Sequence, residues 1–233
     1  MKRMKLFFLP YAGGSASVFL SWKRSLDQAI DIRPVELAGR GKRICEPLYE
    51  SMEEAVSDVF SIISKEIDEE EYAIYGHSMG TILAYEVTRK IKATKMKEPE
   101  HIFFSGRNSP DTENIFKDMH TLNDNDFIKL ISNYGGPNME LFENEEFKTM
   151  FLPILRGDFN IVEMYKFQKD HFKLGCNITI LNGREDELIS FEHMKKWERV
   201  TNGSCRFYEF DDGHFFINKY RIEICKIIND TLV

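Results

Sequence analysis

Short runs of apolar and β-branched residues alternate along this chain with longer segments whose apolar residues recur at helical spacing. The strand-like runs cover residues 4–9, 32–36, 72–75, 102–105, 177–182 and 205–210. The helix-like segments cover residues 17–26, 51–67, 81–91 and the end of the chain after residue 214. Strands that alternate with helices predict an α/β fold, with a mostly parallel sheet covered by helices on both faces.

The alternation breaks between residues 107 and 172, where no strand is predicted and several short helix-like pieces follow one another. This segment is rich in phenylalanine and precedes the fifth predicted strand. Ligands of parallel sheets bind at the carboxyl edge, so we predict a helical insertion, 107–172, that covers this edge as a lid. The alternative is a set of ordinary packing helices with aromatic cores.

The composition indicates one globular domain, 1–233, with 42% hydrophobic and 30% charged residues. No apolar run approaches the length needed to cross a membrane. The four cysteines form no C-x-x-C pair and have no metal-ligand spacing, which favours a reduced, cytoplasmic protein without a bound metal.

The net charge of −7 argues against nucleic acid as the main partner, because phosphate binding needs a concentrated basic face. One compact basic cluster is present, formed by Arg40, Lys42 and Arg43. It is either a solvated loop or a docking surface for an acidic partner.

The pentapeptide Gly76-His77-Ser78-Met79-Gly80 lies between a predicted strand and a predicted helix. A serine on such a tight turn has its hydroxyl exposed above the sheet, and the strained backbone needs small residues on both sides. This context predicts a nucleophile elbow with Ser78 as the nucleophile.

An acid and a base follow later strands, in the order that α/β-hydrolases have. Asp186 comes just after the fifth predicted strand, and His214 comes just after the sixth. Because a serine hydroxyl needs a base during attack, we predict His214 as that base and Asp186 as the carboxylate that orients it. Asp111, which follows the preceding strand, is the alternative acid.

A tetrahedral intermediate needs two hydrogen-bond donors for its oxyanion. The backbone N–H of Met79 is one candidate, since it follows the nucleophile at a helix N-terminus. The flexible loop after the first strand offers the other, and we predict Ala12.

Several stretches together resemble type II thioesterases, the stand-alone α/β-hydrolases that accompany nonribosomal peptide and polyketide synthases. These stretches are FLPYAGGSA (8–16), VELAGRGKR (35–43), YGHSMG (75–80), FSGRNSP (104–110), LRGDF (155–159) and DGHFF (212–216). The resemblance spans nearly the whole chain. Ala38 departs from the proline that is common in the family, and Gly157 departs from the common alanine.

The resemblance implies hydrolysis of acyl or aminoacyl thioesters from the phosphopantetheine arm of carrier domains, which clears stalled or misprimed arms. It implies a monomer without a cofactor of its own and with acidic carrier domains as partners, for which Arg40, Lys42 and Arg43 are the candidate docking residues. A carboxylesterase or lipase that acts on small esters would share the triad. A noncatalytic binding module would typically have lost one of the three triad residues.

Overall fold

The structure is a computed structural model that describes residues 3–67, 71–112, 116–168 and 170–233. The predicted domain, 1–233, and the predicted insertion, 107–172, therefore include a few positions outside the described residues. For the insertion these positions are 113–115 and 169.

Six strands form one sheet in which all five neighbouring pairs are parallel, in the order β2-β1-β3-β4-β5-β6. The strands are β1 (Met4–Leu9), β2 (Ile30–Pro34), β3 (Tyr72–His77), β4 (His101–Ser105), β5 (Asn177–Gly183) and β6 (Cys205–Phe210). The predicted parallel sheet is confirmed, although β2 begins two residues earlier than its apolar pattern indicated.

Side chains that alternate along each strand enter two hydrophobic clusters, one on each face of the sheet. In β1, Phe7 and Leu9 enter one cluster, whereas Leu6 and Phe8 enter the other. The six residues of β3 are all buried. Burial on both faces explains why these strands read as continuous apolar runs.

Helices cover both faces of the sheet. They are α1 (Met52–Ile63), α2 (Met79–Ala93), α3 (Asp124–Asn133), α4 (Glu145–Met164), α5 (Phe191–Lys195), α6 (Phe216–Lys219) and α7 (Arg221–Leu232). Helices α1 and α2 contribute to the larger cluster, and α7 packs into the other one. The first predicted helix is a 3₁₀ helix, Ala16–Arg24, and it joins α7 on that second face.

The described residues between β4 and β5 form helices and no strand. The sequence predicted several short pieces here, but α4 is a single helix of 20 residues that continues through Pro153. Pro153 is exposed. Its ring therefore lies on the solvent side of the helix, where water can satisfy the carbonyl group that the missing N–H leaves free.

Since all six strands run the same way, their carboxyl ends meet at one edge. The loops that follow β1, β3, β4, β5 and β6 carry the predicted site residues to this edge.

Candidate active site

Ser78 lies on the turn between β3 and α2 with φ 55° and ψ −112°, a backbone conformation that costs a non-glycine residue about 1–3 kcal/mol. The flanking glycines allow this turn. A Cβ atom at Gly76 would lie 2.1 Å from the carbonyl oxygen of Gly80, and one at Gly80 would lie 2.1 Å from that of Leu9. These contacts are with backbone, which cannot move aside, so the turn requires glycine at both positions.

His214 and Asp186 form a buried pair, with 2.6 Å between His214 Nδ1 and Asp186 Oδ2. The other carboxylate oxygen of Asp186 accepts a hydrogen bond from the Leu188 N–H at 3.0 Å. A proton on Nδ1 that is donated to this carboxylate leaves Nε2 of His214 as an acceptor. The pair thus has the arrangement of a general base with its orienting acid.

Backbone hydrogen bonds join the two loops that carry this pair. The N–H of Arg184 donates to the Phe210 carbonyl at 2.8 Å, and the N–H of Glu185 donates to the Asp212 carbonyl at 3.0 Å. Asp111, the alternative acid, is exposed in the loop after β4. The structure brings Asp186 and not Asp111 against His214.

A second histidine, His77, packs beside His214 with 5.1 Å between the ring centroids. Its Nδ1 lies 2.9 Å from the hydroxyl of Ser105. Burial and the nearby His214 hold the pKa of His77 well below its ordinary value. His77 therefore stays neutral at pH 7 and does not oppose a positive charge on His214.

Two N–H groups of the loop after β1 are held in internal hydrogen bonds. Gly13 N–H donates to Asp158 Oδ2 at 2.7 Å, and Gly14 N–H donates to the Tyr11 carbonyl at 2.8 Å. Within the described residues, the N–H groups of Ala12 and Met79 have no acceptor. Both residues line a cavity with Ser78, where an oxyanion can receive their hydrogen bonds.

Asp158 on α4 is a site residue that the sequence argument missed. It is 2% exposed and forms a bidentate ion pair with the buried Arg40, at 2.5 and 2.7 Å. Arg40 also donates to the Gly14 carbonyl at 3.2 Å. The pair therefore ties α4 to the loop after β1. An acidic residue on the apolar face of a helix was the available signal, since a buried charge needs a partner.

This burial corrects the predicted docking cluster. Arg40 is 3% exposed, so the prediction that its charge faces a partner is wrong. Arg43 is bound by the carboxylates of Glu46 and Asp58, which raise its pKa and neutralise its charge. Lys42 is exposed and has no ion pair to any residue that the structure describes. The predicted cluster thus presents one uncompensated charge rather than three.

Two cavities meet at Ser78. The apolar cavity, of about 600 Å³, lies under the helices between β4 and β5 and reaches Ala12 and Met79. Its apolar walls include Ile131, Leu141, Phe151, Leu155 and Phe159. The second cavity, of about 460 Å³ and with a mixed lining, lies between the loop after β4 and the segment after α4. Both cavities are lined by Ser78, Phe116, Leu188 and His214.

A family model described as a thioesterase domain matches residues 4–232, which is almost all of the sequence. The chain belongs to the thioesterase family. The predicted membership is therefore confirmed.

Named relatives of this thioesterase include Linear gramicidin dehydrogenase LgrE from Brevibacillus parabrevis. The two are 34% identical, over 97% of this chain and 87% of LgrE. The solved structure of ClbQ from the colibactin NRPS/PKS pathway superposes with a TM-score of 0.93 at 35% identity, covering 99% of this chain and 97% of ClbQ. The type II thioesterase BorB from the borrelidin biosynthetic cluster gives a TM-score of 0.89 at 28% identity, covering 99% and 93%.

These neighbours share the parallel sheet and its covering helices, so the predicted α/β-hydrolase fold is confirmed. Among the described residues, no helix is both long and apolar enough to cross a bilayer. The same residues contain no group of three or more metal-ligating side chains placed to hold an ion.

Proposed function

We propose that this thioesterase hydrolyses acyl and aminoacyl thioesters on the phosphopantetheine arm of carrier proteins, with Ser78, His214 and Asp186 as its catalytic triad. One observation carries the proposal. His214, which is hydrogen-bonded to Asp186, lines both cavities together with the elbow serine.

Hydrolysis proceeds through an acyl-enzyme. As Ser78 Oγ attacks the thioester carbonyl, His214 Nε2 takes its proton and Asp186 stabilises the imidazolium. The N–H groups of Ala12 and Met79 bind the oxyanion. Collapse of the intermediate breaks the C–S bond, and His214 protonates the departing thiol. Water, deprotonated by His214, then releases the acid and restores Ser78.

The apolar cavity suits the acyl group, because its walls are aliphatic and aromatic. The relatives support a carrier-bound thioester. ClbQ comes from an NRPS/PKS pathway, and BorB is a type II thioesterase of a biosynthetic cluster. LgrE is named a dehydrogenase, and that name describes LgrE and not the chain studied here. Clearing misprimed or stalled arms is the role that we propose here.

The chemistry proposed above uses side chains and backbone only, so it needs no cofactor beyond the arm that the substrate protein supplies. We propose acidic carrier domains as the partners, a monomer as the working unit and the cytoplasm as its location. Neither nucleic acid nor a membrane enters the proposed reaction.

The test has a chemical and a kinetic part. A fluorophosphonate probe should label the wild-type protein once, at Ser78, and should not label Ser78→Ala. Ser61→Ala, which removes an exposed hydroxyl on α1, is the matched control and should label normally.

Hydrolysis of S-ethyl hexanethioate is then compared with hydrolysis of the oxygen ester ethyl hexanoate. Preference for the thioester supports the proposal. Equal or faster turnover of the oxygen ester would favour a carboxylesterase, and labelling of Ser78→Ala would remove Ser78 as the nucleophile.

A further inference from the structure

His77 lies next to both the nucleophile and the base, and the proposed mechanism does not use it. It is the last residue of β3, directly before Ser78, and it has no exposed surface. The centroid of its ring lies 5.1 Å from that of His214 and 5.9 Å from that of Phe215. A histidine buried in this place needs partners for both ring nitrogens, because unpaired polar groups are costly in a protein interior.

One ring nitrogen of His77, Nδ1, is paired with Ser105. Nδ1 lies 2.9 Å from Ser105 Oγ, and the Tyr75 hydroxyl donates to the same Oγ at 3.0 Å. Because Ser105 accepts from Tyr75, its own hydroxyl hydrogen is left to donate to Nδ1. The lowered pKa of His77 keeps its ring neutral at pH 7, so an Nδ1 that accepts places the proton on Nε2.

The other ring nitrogen, Nε2, is buried, and no described residue stands in hydrogen-bond geometry to it. Burial and the nearby His214 lower the pKa of His77, whereas the backbone carbonyls of His214 and Ser105 lie close enough to the ring to oppose that effect. The Ser105 carbonyl already accepts the Ser78 N–H at 2.8 Å and the Thr81 hydroxyl at 3.1 Å. The described residues offer the His214 carbonyl no other donor. It is therefore the acceptor that is left for Nε2–H.

The backbone of His214 needs such a tie. It lies in the loop between β6 and α6, and its N–H forms no hydrogen bond with any residue that the structure describes. The Asp186 carboxylate orients the imidazole through Nδ1, but it does not hold the backbone from which the ring extends. A hydrogen bond from His77 would hold that backbone against β3, the strand that ends at the nucleophile.

The two histidine rings also fit tightly against the loop after β4. Gly106 has φ 65°, and a Cβ atom there would lie 2.6 Å from Cε1 of His77 and 3.4 Å from Cε1 of His214. Closely packed groups leave little room for displacement while all of them are present. A shorter side chain at position 77 would open space into which His214 can move.

We infer that His77 is a positioning residue for the catalytic base, and that its Nε2–H donates a hydrogen bond to the His214 backbone carbonyl. The inference rests on the proposed function, because it takes His214 as the base of that reaction. His214 is then held at two ends, on the ring by Asp186 and on the backbone by His77. Since His77 touches no reacting atom, its loss should slow the chemical step and leave substrate binding unchanged.

The tautomer of His77 is the direct test, and it needs no substrate. Nitrogen-15 NMR of the wild type, labelled in its histidines, distinguishes a protonated ring nitrogen from an unprotonated one. The signals of His77 are those missing from the spectrum of His77→Asn. We expect the proton on Nε2 at pH 7. A proton on Nδ1 would overturn the inference, because Nε2 would then face the His214 carbonyl with a lone pair.

Two amides at position 77 separate the roles of the ring nitrogens. The amide nitrogen of glutamine can take the place of Nε2, whereas that of asparagine reaches only the place of Nδ1. We expect His77→Asn to lower kcat for S-ethyl hexanethioate about 10- to 100-fold with KM nearly unchanged, because small misplacements of catalytic groups are costly. His77→Gln should recover most of that loss.

His101→Asn is the matched control. His101 is also a buried histidine whose ring contacts one hydroxyl, that of Thr179 at 2.8 Å, but it is the first residue of β4 and lies at the far end of the sheet from Ser78. Its substitution should leave kcat unchanged. Melting temperatures show whether the variants fold, and the tautomer of the wild type decides the question if they do not.

Four kinetic results would also overturn the inference. They are an unchanged kcat in a folded His77→Asn, a loss that appears in KM instead, an equal loss in His101→Asn, and equal losses in His77→Asn and His77→Gln. The last result would mean that the ring of His77 only fills space. If the wild type hydrolyses the thioester and Ser78→Ala does not, the proposed function stands whichever of these results is found.

Discussion

At the scale of single residues, the sequence offers two candidates for the catalytic acid, and the geometry favours Asp186. Both candidates follow a strand, and they differ in their distance from His214. Asp186 is buried 2.6 Å from His214, whereas Asp111 is exposed. Chain order identifies both carboxylates as candidates, but it does not show which of them contacts His214.

We expect Asp186→Asn to lower kcat about 10⁴-fold, because an amide at this position favours the wrong tautomer of His214. Asp111→Asn should change kcat little. Steady-state turnover of one acyl-pantetheine thioester measures both. The reverse ranking would assign the acid to the loop after β4.

Asp158 carries the second prediction at this scale. We expect Asp158→Asn to lower the free energy of unfolding by about 3–5 kcal/mol, because Arg40 then keeps a buried charge without its counter-charge. The substitution should also lower kcat, since the Gly13 N–H loses a charged acceptor and the neighbouring Ala12 N–H shifts. Chemical denaturation and turnover measure the two effects.

A double variant separates the effect of Asp158 on stability from its effect on the position of the loop after β1. Arg40→Met/Asp158→Leu removes both charges, so stability should largely return. The activity should stay about 10- to 100-fold low, because no acceptor holds the loop after β1 and small misplacements of catalytic groups are costly. Full recovery of kcat along with stability would show that Asp158 has no part in positioning the oxyanion donors.

At the scale of elements, strands were easier to predict than helices. A strand buried on both faces is a short apolar run between loops, and all six were found, although β2 was misplaced by two residues. The 3₁₀ helix at Ala16–Arg24 and the long α4 were not predicted as such. Local pattern cannot tell 3₁₀ from α geometry, and whether a helix continues through a proline such as Pro153 depends on its exposure, which tertiary packing decides.

The lid remains a prediction, and the structure sharpens it. Helix α4 is anchored to the loop after β1 by the buried ion pair of Asp158. Helix α3, which lines the apolar cavity, is joined to α4 by a more exposed ion pair between Asp124 and Arg156, and among the described residues the 3₁₀ helix Met139–Glu143 forms no ion pair. In hydrogen exchange we expect α3 and residues 139–143 to be less protected than the second half of α4. An acylated carrier protein should slow exchange in α3 more than in the strands.

The same experiment can contradict the lid. If α3 is as protected as β3 and does not respond to the carrier, the helices between β4 and β5 are a rigid cover, and gating by them should be abandoned.

At the scale of the whole molecule, charge is the main constraint on docking. The chain has a net charge of −7, and the proposed carrier partners are acidic, so the net charges of the two proteins do not attract each other. The sequence shows the basic cluster, but it does not show that Arg40 and Arg43 form ion pairs with carboxylates of the same chain. Of the three predicted docking residues, Lys42 is left as the exposed positive charge that pairs with no described carboxylate.

We expect Lys42→Glu to raise KM for an acyl-carrier protein severalfold, and KM for the matching acyl-pantetheine not at all, since only the carrier presents an acidic surface. The effect should shrink at high salt. Lys226→Glu makes the same change in net charge on α7, away from both cavities, and serves as the control. Equal effects of the two substitutions would leave this loop no role in docking.

The most direct test of the central claim is the unloading of an acylated carrier protein, followed by intact-mass spectrometry with the wild type and with Ser78→Ala. The account predicts that the wild type converts hexanoyl-carrier to free carrier, and that Ser78→Ala is slower by about 10⁴-fold or more while remaining folded. Unloading by Ser78→Ala at a rate near that of the wild type, or a wild type that leaves the carrier acylated while hydrolysing small oxygen esters, would contradict it.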